Sequence, residues 1–439
     1  MCKICFSIAA ICLLLVFVAC GYNHVQSLQP EAELPTYETQ PTQYDPEPIQ
    51  YKEEPTEYET EYTLETSPTP SRVAVLTLPM GWGGHGCSSY IAGWLQDKHG
   101  SDMIFHDTRW VGSRAAMAQT AEDIIQDMNI GVVVVSPAER GTNYFISKIR
   151  EQRDDIFIIY IGYDSYGYHD PPYISQTFSE AAHMADLILN IDMMEMYRRL
   201  PAQAQKLGAE TLVFLYIEPD DDSQWVVDTS YEKNLMRAAS GEIGLQFIEL
   251  SRSPWAIGCG SSYNSYLWDY VFPLIAEYGN NTTFIGLGGH RMFAMLAHSG
   301  AIYLPSYAQS SPSNIMNGML LYGVHGGLNF DERPINNLEL VIQEIRKTLA
   351  GKDMLGRVSS WPISASTLLT YAAVEYGFKW MNGEVLYDGI DSEILQQIME
   401  NIISTYTGEE GLGATLTQRT YNGNSYPHYL LVFIDFMTY

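Results

Sequence analysis

The chain has 439 residues, 46% of them hydrophobic, and its 52 acidic residues against 24 basic ones give a formal net charge of −28. That length exceeds one small core and suits two domains of ordinary size. So acidic a chain, with no basic cluster and no nucleic-acid motif, repels phosphate backbones, which argues against DNA or RNA as a partner.

In chain order, Lys3 is followed by an apolar run over 4–19, too short and too rich in cysteine to favour a spanning helix. It reads as the hydrophobic region of an export signal. The run ends in Phe17, Val18, Ala19, Cys20 and Gly21. Small residues just before a cysteine resemble a bacterial lipobox, a resemblance that implies cleavage after residue 19 and lipidation of Cys20. Phe17 stands where that motif usually has leucine, and an ordinary secretory signal or an uncleaved anchor are the alternatives. The expected location is the extracytoplasmic side of the cell membrane, held by lipid. Residues 23–72 carry eleven acidic side chains against Lys52 and Arg72, and eight prolines. Such a segment buries too little apolar surface to fold, and its prolines and like charges keep it extended, so 20–72 is expected to be a disordered tether. With the tether's −9 and the leader's +1 removed, about −20 remains on the folded part. After processing the cysteines are Cys20, Cys87 and Cys259, which imply no disulfide framework.

The folded part opens with a strand over 73–78, then a glycine-rich segment before a helix starting at Ser88 or Ser89. Gly81, Gly83 and Gly86 have the spacing of a dinucleotide fingerprint, and Asp107 follows about twenty residues on, at the end of a strand over 103–106. Pro79 and Met80 separate the strand from the first glycine, and the export signal leads to a compartment poor in nicotinamide cofactors. A loop at a ligand cleft is therefore the preferred reading, and no cofactor is expected.

Met117, Ala121, Ile124 and Met128 recur at helical spacing over 114–128. Residues 130–135 are uncharged and mostly β-branched, which suits a central strand of a parallel sheet, buried on both faces. A second such run spans 156–161. In an open sheet of β-α-β units, ligands sit beyond the carboxyl ends of the strands, which singles out 136–139, with Ser136 and Glu139, and 162–165, with Tyr163 and Asp164. A short strand is expected over 174–178. A long helix is expected to follow, with Met184, Ile188, Ile191 and Met194 on one face.

The next strand, 211–217, is introduced by Leu207 and Gly208. A strand ending one lobe, a long helix, then Leu-Gly and an apolar strand resembles the passage between lobes in the type 1 periplasmic binding proteins and the ligand domains of LacI-like regulators. Residues 278–288, a helix from about His290 and residues 300–307 are similar to the end of that family's second lobe and its return crossing. The resemblance spans most of 73–350 and rests on element order. It implies an α/β fold of two Rossmann-like lobes, with parallel sheets flanked by helices and a multi-strand hinge between them. The expected division is 73–178 plus about 305–360 for the first lobe, and 179–304 plus about 361–439 for the second lobe and a C-terminal extension. Second-lobe strands are expected at 211–217, 245–250, 283–287 and 301–304, with helices near 230–240, 262–277 and 290–298. Helices follow at 313–323 and 335–350, the latter packing through Leu338, Val341, Ile342, Ile345 and Leu349, then at 363–381 and 391–405, with a terminal strand over 429–436.

The chemistry-bearing groups do not assemble into a catalytic set. Glu218 and the aspartates after it are a cation or hydroxyl site or else a solvated acidic loop. Arg291 at a helix start holds a ligand anion or forms a surface pair. The serines after Cys87 and Cys259 miss the nucleophile-elbow pattern, and no paired-histidine metal motif occurs. An enzyme is not expected. Trp82, Tyr163, Tyr307 and Trp361, with His85, Ser136, Glu139, Asp164, Glu218, Arg291 and Gln309, are the expected ligand-binding residues. Aromatic faces with a few polar groups suit a flat, mostly neutral molecule such as a sugar, a nucleoside or another heterocycle. The expected role is a lipid-anchored solute-binding protein serving a membrane transporter or a sensor. A secreted nucleotide-dependent enzyme using the 81–86 loop, and a cell-surface signalling or adhesive protein, are the competing classes.

Overall fold

The structure is a computed structural model that describes residues 70–77, 88–107, 114–136, 142–162, 184–217, 230–252, 272–285, 302, 304, 338–386, 389–421 and 424–439. The expected export signal, Cys20 and nearly all of the expected tether lie outside them. From residue 72 the chain forms β1 (Arg72–Thr77), α1 (Ser88–His99), β2 (Met103–Asp107), α2 (Arg114–Gln126), β3 (Ile130–Ser136), α3 (Thr142–Arg150), β4 (Phe157–Ile161) and β5 (Leu187–Ile191). Then come α4 (Met193–Lys206), β6 (Thr211–Ile217), α5 (Ser230–Ile243), β7 (Gln246–Arg252), α6 (Phe272–Tyr278) and β8 (Thr282–Ile285). The rest is α7 (Leu338–Ala350), β9 (Ser359–Ser360), α8 (Ala365–Met381), α9 (Ser392–Thr407), β10 (Ala414–Tyr421), β11 (Asn424–Ile434) and β12 (Met437–Thr438).

Seven strands form one sheet in the order β10-β11-β5-β4-β3-β1-β2, parallel throughout except for β10 against β11. Every residue of β3 is buried, because helices cover both faces. Val133 and Val135 face α2 and α3 through Ala121, Ile124, Phe145 and Ile149, while Val132 and Val134 belong to the core that contains α8 and α9. That second core runs on without a break into the other sheet, β7-β6-β8, which is parallel throughout and gains a bridge from Ile302 to Thr283. A short antiparallel ladder, β9 with β12, completes the pairing.

The expected helix through Met184, Ile188, Ile191 and Met194 is instead β5, with α4 starting only at Met193. Leu187, Ile188, Leu189 and Ile191 are all buried, and β5 pairs with β4 on one side and β11 on the other. A continuous apolar run of that length satisfies either period, and here the sheet claims it. The lobe division moves accordingly. Residues 187–191 belong to the first sheet, and so do α8 and β11, beyond 361 and expected in the second lobe: α8 lies on β1, β3, β4 and β5, and β11 extends the sheet beside β5, while β12 pairs with β9. The hairpin partner β10 was not anticipated, although its alternating threonines and the Asn422-Gly423 pair that separates it from β11 are a recognised hairpin signature. The apolar face expected for α7 is the one observed, with Leu338, Val341, Ile342, Ile345 and Leu349 all buried. The expected elements over 174–178, 290–298 and 313–323 lie outside the described residues.

Helix α8 sits close to the sheet at Gly377, where an added Cβ would stand 2.7 Å from Val132 Cγ1. Its outer side is tied to α1: Glu375 accepts from Lys98 Nζ at 2.7 Å and pairs with His99 Nε2 at 2.8 Å, and the His99 ring stacks on Phe378. Between these contacts α8 has no room to retreat. Gly377→Ala is therefore expected to cost about 1–3 kcal/mol by overpacking, more than the helix-propensity gain of up to about 1 kcal/mol. Urea unfolding of Gly377→Ala, Val132→Ala and the double variant checks this, the double variant being more stable than the sum of the singles predicts.

Candidate functional site

In the order β2-β1-β3-β4-β5, successive strands lead in opposite directions from a switch point between β1 and β3. The crevice beyond the carboxyl ends there is where such sheets place ligands. The described residues stop at this edge in both sheets: β1, β3 and β4 lead into 78–87, 137–141 and 163–183, and β6, β7 and β8 lead into 218–229, 253–271 and 286–301. Of the expected ligand residues, Trp82, His85, Glu139, Tyr163, Asp164, Glu218, Arg291, Tyr307 and Gln309 lie outside the described residues.

Ser136 and Trp361 are described, and both are packed away from solvent. Ser136 ends β3 with its hydroxyl hydrogen-bonded to Thr370 on the second turn of α8, so that hydroxyl joins helix to strand. Trp361, expected in a cleft loop, is fully buried in the core just before the N-cap of α8, Ser364. The segment 357–363 is short and flanked by α8 and the β9 ladder, and so its largest apolar side chain goes inside. Among the described residues its indole Nε1 has no hydrogen-bond partner.

The same edge holds polar groups that the sequence reading did not single out. Asn190, within β5, donates from Nδ2 to Tyr429 Oη at 3.0 Å, and Arg419 Nη1 donates to the same oxygen at 2.6 Å. Gly162 sits against Asn190, where a Cβ would meet Asn190 Cγ at 3.2 Å. Asp192 caps α4 by accepting from Glu195 N at 2.9 Å, and its own amide donates to Val432 O at 2.8 Å. One polar residue in the apolar run 187–191 was the available signal, hidden because the run read as helical. A cavity of about 450 Å³ opens at the opposite edge, near the amino ends of β4 and β5, away from the crevice. Among the described residues no group of three or more His, Cys, Asp or Glu side chains is placed to hold a metal ion, and no helix is long and apolar enough to cross a membrane.

Residues 105–359 match the model of a family described as protein of unknown function, DUF3798. The chain belongs to this family. No curated protein matches it. Among solved structures, one described as a transcriptional regulator from Clostridium difficile 630 aligns at 14% identity over 84% of this chain and 99% of its own, with a TM-score of 0.65. A sugar ABC transporter protein from Actinomyces odontolyticus aligns at 12% identity over 72% of this chain and 86% of its own, with a TM-score of 0.42. A leucine binding protein from Thermotoga maritima aligns at 13% identity over 83% and 97%, with a TM-score of 0.36. The first likeness is one of fold, and the other two are too slight to add to it. The architecture is a mixed α/β fold of two largely parallel sheets flanked by helices.

Trp361→Ala is expected to destabilise the protein by about 3–5 kcal/mol, as removal of a fully buried tryptophan does. Trp361→Phe keeps most of the volume and also removes the unpartnered donor, so its cost is smaller. Thermal and urea unfolding of both variants check this; unchanged stability of Trp361→Ala would return Trp361 to the ligand surface.

Proposed function

We propose that the protein is an extracytoplasmic, lipid-anchored solute-binding protein. It closes its two lobes over a small, flat, mostly neutral ligand, a sugar, nucleoside or other heterocycle, and delivers it to a membrane transporter or reports it to a sensor. The observation that carries this reading is the pair of parallel sheets, the larger with its switch point between β1 and β3. The segments leaving their carboxyl ends contain Trp82, Tyr163 and Tyr166 as ring platforms and His85, Glu139, Asp164, Glu218 and Arg291 as polar groups. Tyr307 and Gln309 follow β8 in the sequence and complete the proposed set. Loops from both lobes would share the ligand, so the closed form gains contacts that neither lobe makes alone. No catalysis is part of this reading.

A ligand at about a hundred times its dissociation constant stabilises the protein by roughly 2.7 kcal/mol, enough to register as a melting shift. Sugars and nucleosides are expected to raise the melting temperature, with the effect lost in Trp82→Ala. Mass spectrometry of small molecules released on denaturation identifies a natural ligand.

One observation favours a second reading, a dinucleotide-dependent enzyme. β1 ends at Thr77, α1 begins at Ser88, and Asp107 ends β2 directly opposite Thr77, the strand-loop-helix-strand context that the fingerprint of Gly81, Gly83 and Gly86 requires. A melting shift produced only by nicotinamide or flavin dinucleotides and abolished by Gly83→Val would replace the first reading with this one.

For the anchor, Cys20→Ala is expected to release the protein into the medium or leave an unprocessed precursor, because lipidation supplies the membrane attachment. Fractionation of cells producing the variant reads this out. Membrane retention with the signal removed would overturn the anchor.

A further inference from the structure

The cavity at the amino ends of β4 and β5 has a floor, a wall and a charge that the crevice reading does not use. Phe157, the first residue of β4, and Trp380, near the end of α8, stack with ring centroids 4.8 Å apart and planes 22° from parallel. Ile156 and Ile390 continue the apolar lining. Three carboxylates stand on the same lining, Asp154, Asp155 and Asp186, and it contains no lysine or arginine.

Two of these carboxylates are fixed from behind. Arg153 donates to both oxygens of Asp155, from Nε at 2.6 Å and Nη2 at 2.8 Å, which holds that carboxyl below the usual range. Arg150 pairs with Asp186 and also donates to Ile156 O at 2.7 Å and Met184 O at 2.9 Å, while Asp186 accepts from Ile158 N at 2.7 Å. The loop before β4 and the entry to β5 are thereby clamped together, and the mouth of the cavity keeps its shape. Asp154 is different: it is exposed and, among the described residues, has no ion-pair or hydrogen-bond partner.

We propose that this cavity is a second ligand site, for an organic ammonium ion carrying a flat apolar body. A volume of about 450 Å³ is in the ordinary range for a small-molecule site. The ring of such a ligand lies along Trp380, which the buried Phe157 ring backs, and an aromatic face also attracts a cation. Its ammonium group, which only donates, turns to Asp154, which only accepts. A sugar or nucleoside offers acceptors as well as donors and would leave its acceptors facing carboxylates; His428 is the one side chain of the lining able to serve them. An anion is repelled outright. The −28 charge of the whole chain draws cations toward the molecule and so favours the same choice.

Calorimetric titration of the full-length protein with phenethylammonium chloride tests the site, with 2-phenylethanol and phenylacetate as neutral and anionic controls of similar shape. Saturable one-to-one binding of the ammonium probe is expected, with weaker or no binding of both controls. Asp154→Asn, at an exposed position, should weaken binding about three- to fivefold, the worth of one exposed charge pair, and Asp154→Lys should abolish it. Trp380→Phe, which keeps a ring on the floor, should retain binding at reduced affinity. Equal binding of phenethylammonium and 2-phenylethanol, binding indifferent to Asp154→Lys, or no saturable binding would each overturn the proposal. Glucose or adenosine binding lost on Asp154→Lys would show a neutral-ligand site in its place.

Discussion

The architecture depends on how closely α8 approaches β3. Gly377 brings the helix backbone to where a single methyl would collide with Val132, a β-branched side chain with little freedom to turn aside. That contact makes β3 a strand with helices on both faces, which is why its residues up to Val135 are all apolar and not alternating. A larger residue at 377 would push α8 outward and open the layer that the Ser136–Thr370 pair, Trp361 and the stacked Phe157 and Trp380 complete. The same helix thus closes one end of the sheet through Thr370 and floors a cavity at the other through Trp380.

How much could be read from the sequence follows from which period each segment obeys unambiguously. The run 130–135 permits only a buried strand, and α7 shows one apolar stripe, so both were legible. Residues 184–194 satisfied helical spacing at four positions and yet lie in β5 and its flanks, because a five-residue apolar run carries no information about its partners on either side. The lobe assignment of the C-terminal extension failed for a related reason. β11 pairs with β5 across more than two hundred residues of chain, and no local pattern announces so distant a neighbour.

The site was less legible than the fold. The end of β3 at Ser136 was legible because a strand's carboxyl end is marked by where its apolar run stops, but the partner that its hydroxyl meets, Thr370, is one threonine in an apolar helix, and nothing in sequence distinguishes it from its neighbours. Trp361 was read as a cleft aromatic because the expected topology put a crossing between the lobes near 357–362. Its surroundings, not its local sequence, send it into the core. The acidic cavity went unread for a similar reason, since its lining comes from five separate stretches of chain, each unremarkable by itself.

The last residues of the chain bear on how two lobes of this kind can move. Helix α4 carries the chain from β5 in the larger sheet to β6 in the smaller one, and 357–363 carries it from beside β8 to α8. Met437–Thr438 pairs with Ser359–Ser360, and Gln203 on α4 donates to both Ser359 Oγ at 3.1 Å and Thr438 Oγ1 at 3.0 Å. Tyr439 adds its backbone amide to Val358 O at 3.0 Å and its hydroxyl to Ser360 Oγ at 2.8 Å. The C-terminus therefore stitches two of the passages between the sheets to each other. The bonds at Ser359 and Ser360 are buried, and each would leave an unsatisfied polar group if broken, so they resist shear between the strands they join. A hinge motion between the two sheets would therefore bend this tied bundle as a unit, with the φ/ψ changes absorbed at its ends, and would not slide one crossing past another.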